Sequence, residues 1–292
     1  MNTNYEHLRM LEILALFALA VILKVTPAYA DRYVTLDFPG ATNTVVAGIN
    51  NKQQVVGYFF EPNGKFHGFL WSRGQFTRID YPGASTGTLP TDINDQGQIV
   101  GGADTIGFEL DGDSFNEIIF PDSVVTFASG TNDGAEIVGS YQIEPIRFEF
   151  KTYGFTFITG LYESVSYEGF QTDLSRINRQ DQIVGCYRTD TGTYHGLLLS
   201  GGAFTAIDYP GSDYTIASGI NDQSQIVGSY SLVGTGGPYR GFALVGERFF
   251  DINFPRAAST EPSDIDSKGN VVGSYIDANN HYHGFIRIRS GN

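Results

Sequence analysis

Histidine is the side chain of this sequence best suited to acid–base or metal chemistry near neutral pH. Three histidines stand in one recurring phrase, in which Gly and then an apolar residue follow: His67-Gly68-Phe69, His195-Gly196-Leu197 and His283-Gly284-Phe285. A residue that recurs at one position of a repeat is most simply there to build the repeat, so we interpret these histidines as structural. Because they fall in separate repeats, they cannot share one metal ion. The sequence predicts no metal site and no cofactor.

Acidic and amide side chains recur in the same way. Four aspartates stand shortly before an aromatic–proline pair and are interpreted as turn formers, not as an acid–base pair: Asp37, Asp80, Asp208 and Asp251. A second set lies seven residues before a repeated glycine: Asn50, Asn94, Asn132, Asn178, Asn221 and Asp266. This set is able to form a polar ring at one mouth of a channel, but we favour hairpin-turn capping.

The remaining motifs do not assemble a recognisable catalytic set. The run Gly234–Gly237 has no helix after it, as a phosphate-binding loop would need. Asp111-Gly112-Asp113 resembles part of a calcium loop, but Asp122 stands where such a loop has glutamate. Cys186 occupies a small-residue position of a predicted strand and is interpreted as packed. We therefore assign no catalytic residue.

Composition excludes several classes of protein. The 292 residues include 36 Gly and 41% hydrophobic residues, which indicates a folded, turn-rich chain. Thirty-two acids face 18 bases, so the formal net charge is −14. Nucleic acid and anionic lipid are poor partners for such a surface, because both need a cationic face. A single Cys excludes an internal disulfide.

The first thirty residues are typical of a secretory signal. Arg9 precedes an apolar run from Ile13 to Leu23, and the small residues Ala28 and Ala30 flank a cleavage site. The apolar run is too short for a membrane span, which needs about 20 residues. We expect cleavage near Ala30, no membrane span in the mature chain, and a secreted or periplasmic protein.

Six copies of one phrase divide the rest of the chain. Each copy begins with Ile-Asn or a close variant, continues through a polar turn, and ends in Val-Gly. The copies are 49–57, 93–101, 131–139, 177–185, 220–228 and 265–273. Successive glycines are 38 to 46 residues apart, which is the period of one four-stranded blade of a β-propeller.

A displaced strand predicts how these blades close into a ring. A fourth-strand phrase follows the first and fourth copies, at Phe76–Gly83 and Phe204–Gly211, but the sequence ends soon after the sixth. The matching phrase Tyr33–Gly40 stands before the first copy instead. The sequence therefore predicts an all-β fold, a six-bladed propeller over residues 31–292. In it, strand 33–38 completes the last blade and removes an open sheet edge.

The three His-Gly phrases, each following an Ile-Asn…Val-Gly hairpin, resemble the extracellular repeats called HAF, for His-Ala-Phe, of secreted bacterial β-repeat proteins. Gly stands here where that signature has Ala. The second, third and fifth copies depart further, with Ile106, Ile146 and Arg240 in the histidine position. The resemblance implies export and a β-rich repeat fold, and it implies no established reaction.

A ligand site is expected where the copies differ, on the face formed by the loops between second and third strands and between the fourth strand and the next blade. The candidate ligand-binding residues are Glu144, Arg147, Arg188, Asp190, Tyr239, Arg240, His281 and Tyr282. The first hypothesis is an exported binding or scaffolding module that recognises a glycan, another small polar molecule or a protein.

Two competing functions stay open. A secreted carbohydrate hydrolase or lyase would use Glu144 or Asp190 together with His281, and would need two carboxyl groups roughly 5–9.5 Å apart. A surface-layer or matrix protein would need a large apolar patch or an exposed strand edge.

Overall fold

The structure is a computed structural model that describes residues 31–143 and 151–290. Within those residues every regular element is a β-strand. Residues Arg32–Arg289 form one compact unit. Of the second unit, Asp31 and Ser290 are described, and the Ser290 amide donates to Asp31 Oδ1 at 3.2 Å.

Strand β1 (Arg32–Leu36) precedes six consecutive groups of strands. The first two groups are β2 (Asn43–Ile49), β3 (Val55–Phe60), β4 (Phe66–Ser72), β5 (Gln75–Ile79), and β6 (Thr88–Ile93), β7 (Ile99–Ala103), β8 (Ile106–Asp111), β9 (Ser114–Ile118). The next two are β10 (Val125–Thr131), β11 (Ile137–Gln142), β12 (Thr152–Ile158), β13 (Leu161–Val165), and β14 (Gln171–Ile177), β15 (Ile183–Arg188), β16 (Tyr194–Ser200), β17 (Ala203–Ile207). The last two are β18 (Tyr214–Ile220), β19 (Ile226–Ser231), β20 (Arg240–Val245), β21 (Arg248–Ile252), and β22 (Ser259–Ile265), β23 (Val271–Ile276), β24 (Tyr282–Ile288).

The strands of each group pair antiparallel in chain order, and the first strands of the groups contact one another in the cycle β2, β6, β10, β14, β18, β22 and back to β2. Four groups are separate four-stranded sheets, whereas the fourth and fifth share one eight-stranded sheet. The prediction of six separate four-stranded sheets is corrected in this respect. The two groups share one sheet because a single parallel pairing, of Tyr194 with Tyr214, joins β16 to β18.

The N-terminal strand lies where the displaced phrase places it. β1 pairs antiparallel with β24, with Thr35 opposite Phe285 and Leu36 opposite Gly284. The strand begins at Arg32 and ends at Leu36, slightly earlier than the predicted 33–38. Because β24 would otherwise end its sheet, the pairing covers that edge with the other end of the chain.

The core lies between neighbouring sheets, so both faces of most sheets are covered. The third strand of every group contributes one large side chain that is at most 1% exposed: Phe69, Phe108, Phe155, Leu197, Phe242 and Phe285. Each of the six apolar clusters combines residues of two consecutive groups. The fold therefore depends on contact between repeats as well as within them.

A repeated threonine fixes the turn before each first strand. In all six groups the hydroxyl of this buried residue accepts the backbone N–H of the aromatic residue in the turn: Thr44 from Phe38, Thr88 from Tyr81, Thr126 from Phe120, Thr172 from Tyr167, Thr215 from Tyr209 and Thr260 from Phe254. Four of these aromatic rings stack on the second strand of the following group, with centroids 3.5–3.7 Å apart. The ring of Tyr167 packs there at a tilt, 4.5 Å from that of Tyr187. This stacking explains why the aromatic–proline phrase recurs.

In the described part of the chain, no helix is both long enough and apolar enough to span a bilayer.

Candidate functional site

The penultimate position of the first strands alternates between glycine and a charged residue around the channel: Gly48, Asp92, Gly130, Arg176, Gly219 and Asp264. A Cβ at Gly48 would stand 2.8 Å from Asp92 Cα, and one at Gly219 would stand 2.7 Å from Asp264 Cα. The strands thus approach too closely for side chains at every position. Glycine in alternate repeats makes room for the charged side chains of the others.

Arg176 closes the channel. Its Nη1 donates to the carbonyl oxygens of Ser129 and Ser175, and its Nη2 donates to those of Ala47 and Thr91, all at 2.6–2.7 Å. These carbonyls belong to the first four repeats. One planar guanidinium therefore joins strands from opposite sides of the ring.

Two buried aspartates balance this charge. Arg176 Nε lies 3.5 Å from Asp92 Oδ1 and 3.7 Å from Asp264 Oδ1. Each carboxylate also accepts a backbone N–H from the following repeat, Asp92 from Thr131 and Asp264 from Ile49. Burial raises the pKa of both carboxyl groups, and that of Asp264 to about 7, although Arg176 favours their charged forms.

The repeated asparagines form the narrow end of the channel and do two things. Asn50 Oδ1 accepts the amides of Lys52 and Gln54, which confirms the predicted turn capping. Its Nδ2 donates to the carbonyl of Asn94 in the next repeat. The same link runs from Asn94 to Asn132, Asn178, Asn221 and finally Asp266. The side chains that cap the turns are thus the ones that form the ring.

A second arginine covers this narrow end. Arg179, three residues after Arg176, forms ion pairs with Asp95, Asp133 and Asp222. The hydrogen bond with Asp133 raises the pKa of the guanidinium. The pocket lined by the two arginines and the ring has a volume of only about 70 Å³, which has room for a few water molecules.

The asparagine ring has one weak link, and we predict that repairing it stabilises the fold. Asp266, as a carboxylate, has no N–H for the carbonyl of Asn50, and it accepts from Asn270 instead of donating to a glutamine. The double variant Asp266→Asn with Asn270→Gln recreates the arrangement of the fourth and fifth repeats. We expect it to raise the free energy of unfolding by about 1 kcal/mol, the usual value of one hydrogen bond, as measured by urea denaturation. Asp113→Asn, at an exposed turn aspartate of the second repeat, is the control for charge, and a gain no larger than the control's would contradict the prediction.

The wide end of the channel is an open funnel of about 310 Å³. Arg176 forms its floor, and small polar residues of the first strands line its wall: Thr91, Ser129, Ser175, Ser218 and Ser263. The upper wall holds Glu261 from β22, with Tyr214 from the preceding repeat and Tyr58 from the following one.

The funnel is a partly desolvated and electronegative place. Burial raises the pKa of Glu261, against a hydrogen bond from Ser259 that lowers it. Burial also raises the pKa of Tyr58 and Tyr214, and the charge of Glu261 adds to both shifts. Burial likewise raises the pKa of Asp173, which stands two repeats before Glu261 at the same strand position. Glu261, Tyr58 and Tyr214 are thus perturbed groups that line one concave region, which marks a candidate ligand site.

The predicted ligand-binding residues are scattered by comparison. Glu144 and Arg147 lie outside the described residues. Asp190 and His281 are exposed at turns of the fourth and sixth repeats, where the His281 amide donates to Asp277. Arg240 is exposed at the start of β20.

Three of the predicted residues lie closer to the funnel. Tyr239 packs its ring 5.1 Å from that of Tyr214. Arg188 stands over the ring of Tyr194, which in turn lies 5.2 Å from Tyr214. Tyr282 is close enough to Glu261 for the carboxylate to raise its pKa, after burial. The structure therefore brings Tyr239 and Tyr282 to the site, with Arg188 at the end of the same aromatic row.

The repeated histidines are structural partners of the repeated aspartates. Nδ1 of His67, His195 and His283 lies 2.7–2.8 Å from the carboxylates of Asp80, Asp208 and Asp37 respectively. Asp251 accepts instead from the hydroxyls of Tyr209 and Tyr230. The interpretation of these aspartates as turn formers is corrected, because they tie the outer strands to neighbouring side chains. Among the described residues no group of three His, Cys, Asp or Glu side chains is placed to hold a metal ion.

Sequence reasoning missed the residues that build the funnel, namely Glu261, Tyr58, Tyr214 and Arg176. A usable signal existed at two of these positions. Glu261 stands four residues before the end of its first strand, where four of the six repeats have Val45, Leu89, Phe127 or Ile216. Arg176 stands where the odd repeats have glycine. A charged residue at an otherwise apolar or glycine position of a first strand is what distinguishes the site.

No family model and no curated protein matches the chain. Solved structures do match in fold. A protein of unknown function from Dyadobacter fermentans is 12% identical with a TM-score of 0.56, covering 90% of this chain and 99% of that one. The β-propeller domain of the trilobed protease of Pyrococcus furiosus, described as having an open velcro topology, is 10% identical with a TM-score of 0.51, covering 85% and 94%. A mutant of the Aleuria aurantia lectin in complex with Fucα1-6GlcNAc is 12% identical with a TM-score of 0.51, covering 86% and 98%.

The closed cycle of first strands, the four-stranded sheets and these likenesses define the chain as a β-propeller protein. Identities of this size show the fold alone.

Proposed function

We propose that this protein is an exported, six-bladed propeller that works as a binding module and holds a small polar ligand in the wide funnel. One observation carries the proposal: a funnel of about 310 Å³ that is closed by Arg176 and lined by hydroxyls, tyrosines and the partly buried Glu261. Concave sites with a few converging polar groups are where proteins usually bind small molecules.

Six blades are the count that the strand groups support. The eight-stranded sheet is held together by one pairing, Tyr194 with Tyr214, while each of its halves is a complete group of four strands. The cycle of first strands has six members. We therefore treat the two halves as two blades, the fourth and the fifth.

Export rests on the sequence. The secretory signal over residues 1–30 lies outside the described residues, and the resemblance to HAF repeats favours the same compartment. A secreted or periplasmic binding module with a net charge of −14 meets small molecules and glycans there.

A saccharide is one ligand class that this proposal includes. Tyrosine rings that stack on a sugar, with hydroxyls and a carboxylate that bind its hydroxyl groups, are what such a ligand needs. The Aleuria aurantia lectin, a structural neighbour solved in complex with Fucα1-6GlcNAc, supports this ligand class by its likeness in fold. The hydrolase alternative needs a second carboxyl group facing the first, and Glu261 is the carboxylate that the described funnel lining provides.

The experiment is a thermal-shift screen of the chain from Asp31 onwards with saccharides, polyols, amines and amino acids. A ligand that binds the native state raises the melting temperature, by an amount that grows with its concentration over its dissociation constant. We expect at least one class of compound to raise the melting temperature of the wild type. The same compound should not raise that of Ser218→Phe, in which a ring fills the funnel. Thr77→Phe, an exposed site on β5, is the matched control. Equal shifts in wild type and Ser218→Phe would contradict the funnel as the site.

A further inference from the structure

The charged groups of the funnel decide which ligand class fits it best. The described lining holds two charged side chains, Arg176 in the floor and Glu261 in the upper wall. Both terminal nitrogens of Arg176 already donate to four backbone carbonyls, and its Nε faces Asp92 and Asp264. The floor therefore offers little to an anion, because the donors of both terminal nitrogens are used, and because Nε, which is buried without a hydrogen-bond partner, lies beside two carboxylates.

Glu261 is placed differently. It is partly buried in the upper wall, with Ser259 as a hydrogen-bond donor that lowers its pKa against burial. Ser259 Oγ also accepts the amide N–H of Tyr239 at 3.0 Å, which fixes Tyr239 beside the start of β22. Arg176, the cation of the same lining, pairs with Asp92 and Asp264, and no ion pair among the described residues involves Glu261. The Glu261 carboxylate is therefore available to a charged ligand.

Aromatic side chains surround this carboxylate. Tyr58 and Tyr214 line the funnel on either side of it, from the following and the preceding repeats. Tyr282 is within its electrostatic influence, and Tyr239 packs against Tyr214. Tyrosine faces carry negative charge density, so a cation held among them gains from the rings as well as from the carboxylate.

We infer that the Glu261 end of the funnel binds a cationic ammonium group, of the quaternary or methylated amine class, seated between Tyr58 and Tyr214. The inference rests on the proposed function, because it assigns a ligand class to the same funnel. The ring faces favour a bulky, weakly hydrated ammonium over a compact one. The carboxylate favours a cationic ligand over an uncharged ligand of the same shape. The acidic surface of the whole chain, with its net charge of −14, favours the same sign of ligand.

The test compares choline with 3,3-dimethylbutan-1-ol, which has the same shape without the charge, by calorimetric titration of the chain from Asp31 onwards. We expect choline to bind at least about tenfold more tightly than the alcohol. Glu261→Gln should weaken choline about tenfold and leave the alcohol unchanged, and Tyr58→Leu should weaken choline about threefold. Glu247→Gln, an exposed turn acid, controls for the loss of one negative charge and should change neither.

Equal binding of choline and the alcohol would overturn the inference, as would unchanged choline binding in Glu261→Gln whose melting temperature matches the wild type. A third outcome is that choline does not bind, while a saccharide still stabilises the wild type and not Ser218→Phe. The ligand is then not an ammonium compound, and the funnel remains the binding site. If no compound distinguishes the wild type from Ser218→Phe, the proposed function fails, and the inference fails with it.

Discussion

Arg176→Met should lower the free energy of unfolding by about 3–5 kcal/mol, the usual cost of removing one partner from a buried ionic network. Methionine fills similar volume, so the loss comes from charge and hydrogen bonding. The variant leaves Asp92 and Asp264 buried without their counter-charge, and it frees the four carbonyls that the guanidinium now satisfies. In a domain of this size the melting temperature should fall by about 6–20 °C, as measured by calorimetry or urea denaturation.

Arg179→Met is the matched control, because it removes the same group three residues later. Arg179 is half-exposed at the narrow mouth, where solvent screens its ion pairs, so the loss should stay below about 1 kcal/mol. Equal effects of the two substitutions would show that Arg176 does not hold the centre of the ring.

Removing β1 should have an effect of similar size. A chain that begins at Phe38 lacks the strand that pairs with β24 from Arg32 to Leu36. It loses the buried Leu36, the packing of Tyr33 on Phe254 and Phe285, and the pairing of Asp37 with His283. Burial of two or three such side chains is worth about 5 kcal/mol, so we expect a melting temperature about 10–20 °C lower.

The comparison for this experiment is the chain that begins at Asp31, which retains β1. The shortened chain exposes the edge of β24 and should also aggregate more readily on heating. If both chains melt at the same temperature, β1 does not close the ring.

Much of the fold could be predicted because each repeat forms the same hairpins with the same types of residue. A turn, a glycine and an aromatic residue recur at fixed spacing, and their recurrence identifies the hairpins and the displaced β1. The shared eight-stranded sheet could not be predicted, because it depends on one pairing between Tyr194 and Tyr214.

The site was harder to predict, for a reason that Arg176 illustrates. Its contact with Ala47 joins residues 129 positions apart, and it exists because the ring brings different repeats to one axis. Loop variability pointed to Asp190 and His281, which are exposed at turn tips, where few contacts constrain the sequence. The more informative signal was a charged residue such as Glu261 inside a strand, where burial makes an unneeded charge costly.

Whether the wide funnel is the binding site is decided by NMR of the chain from Asp31 onwards with ¹³C-labelled tyrosine. The chain is titrated with the compound that stabilises it most in the screen. We expect the ring resonances of Tyr58 and Tyr214, each assigned by substitution to Phe, to shift first and to saturate together. Shifts confined to Tyr33 and Tyr162, on the outer strands β1 and β13, with Tyr58 and Tyr214 unmoved, would contradict this expectation.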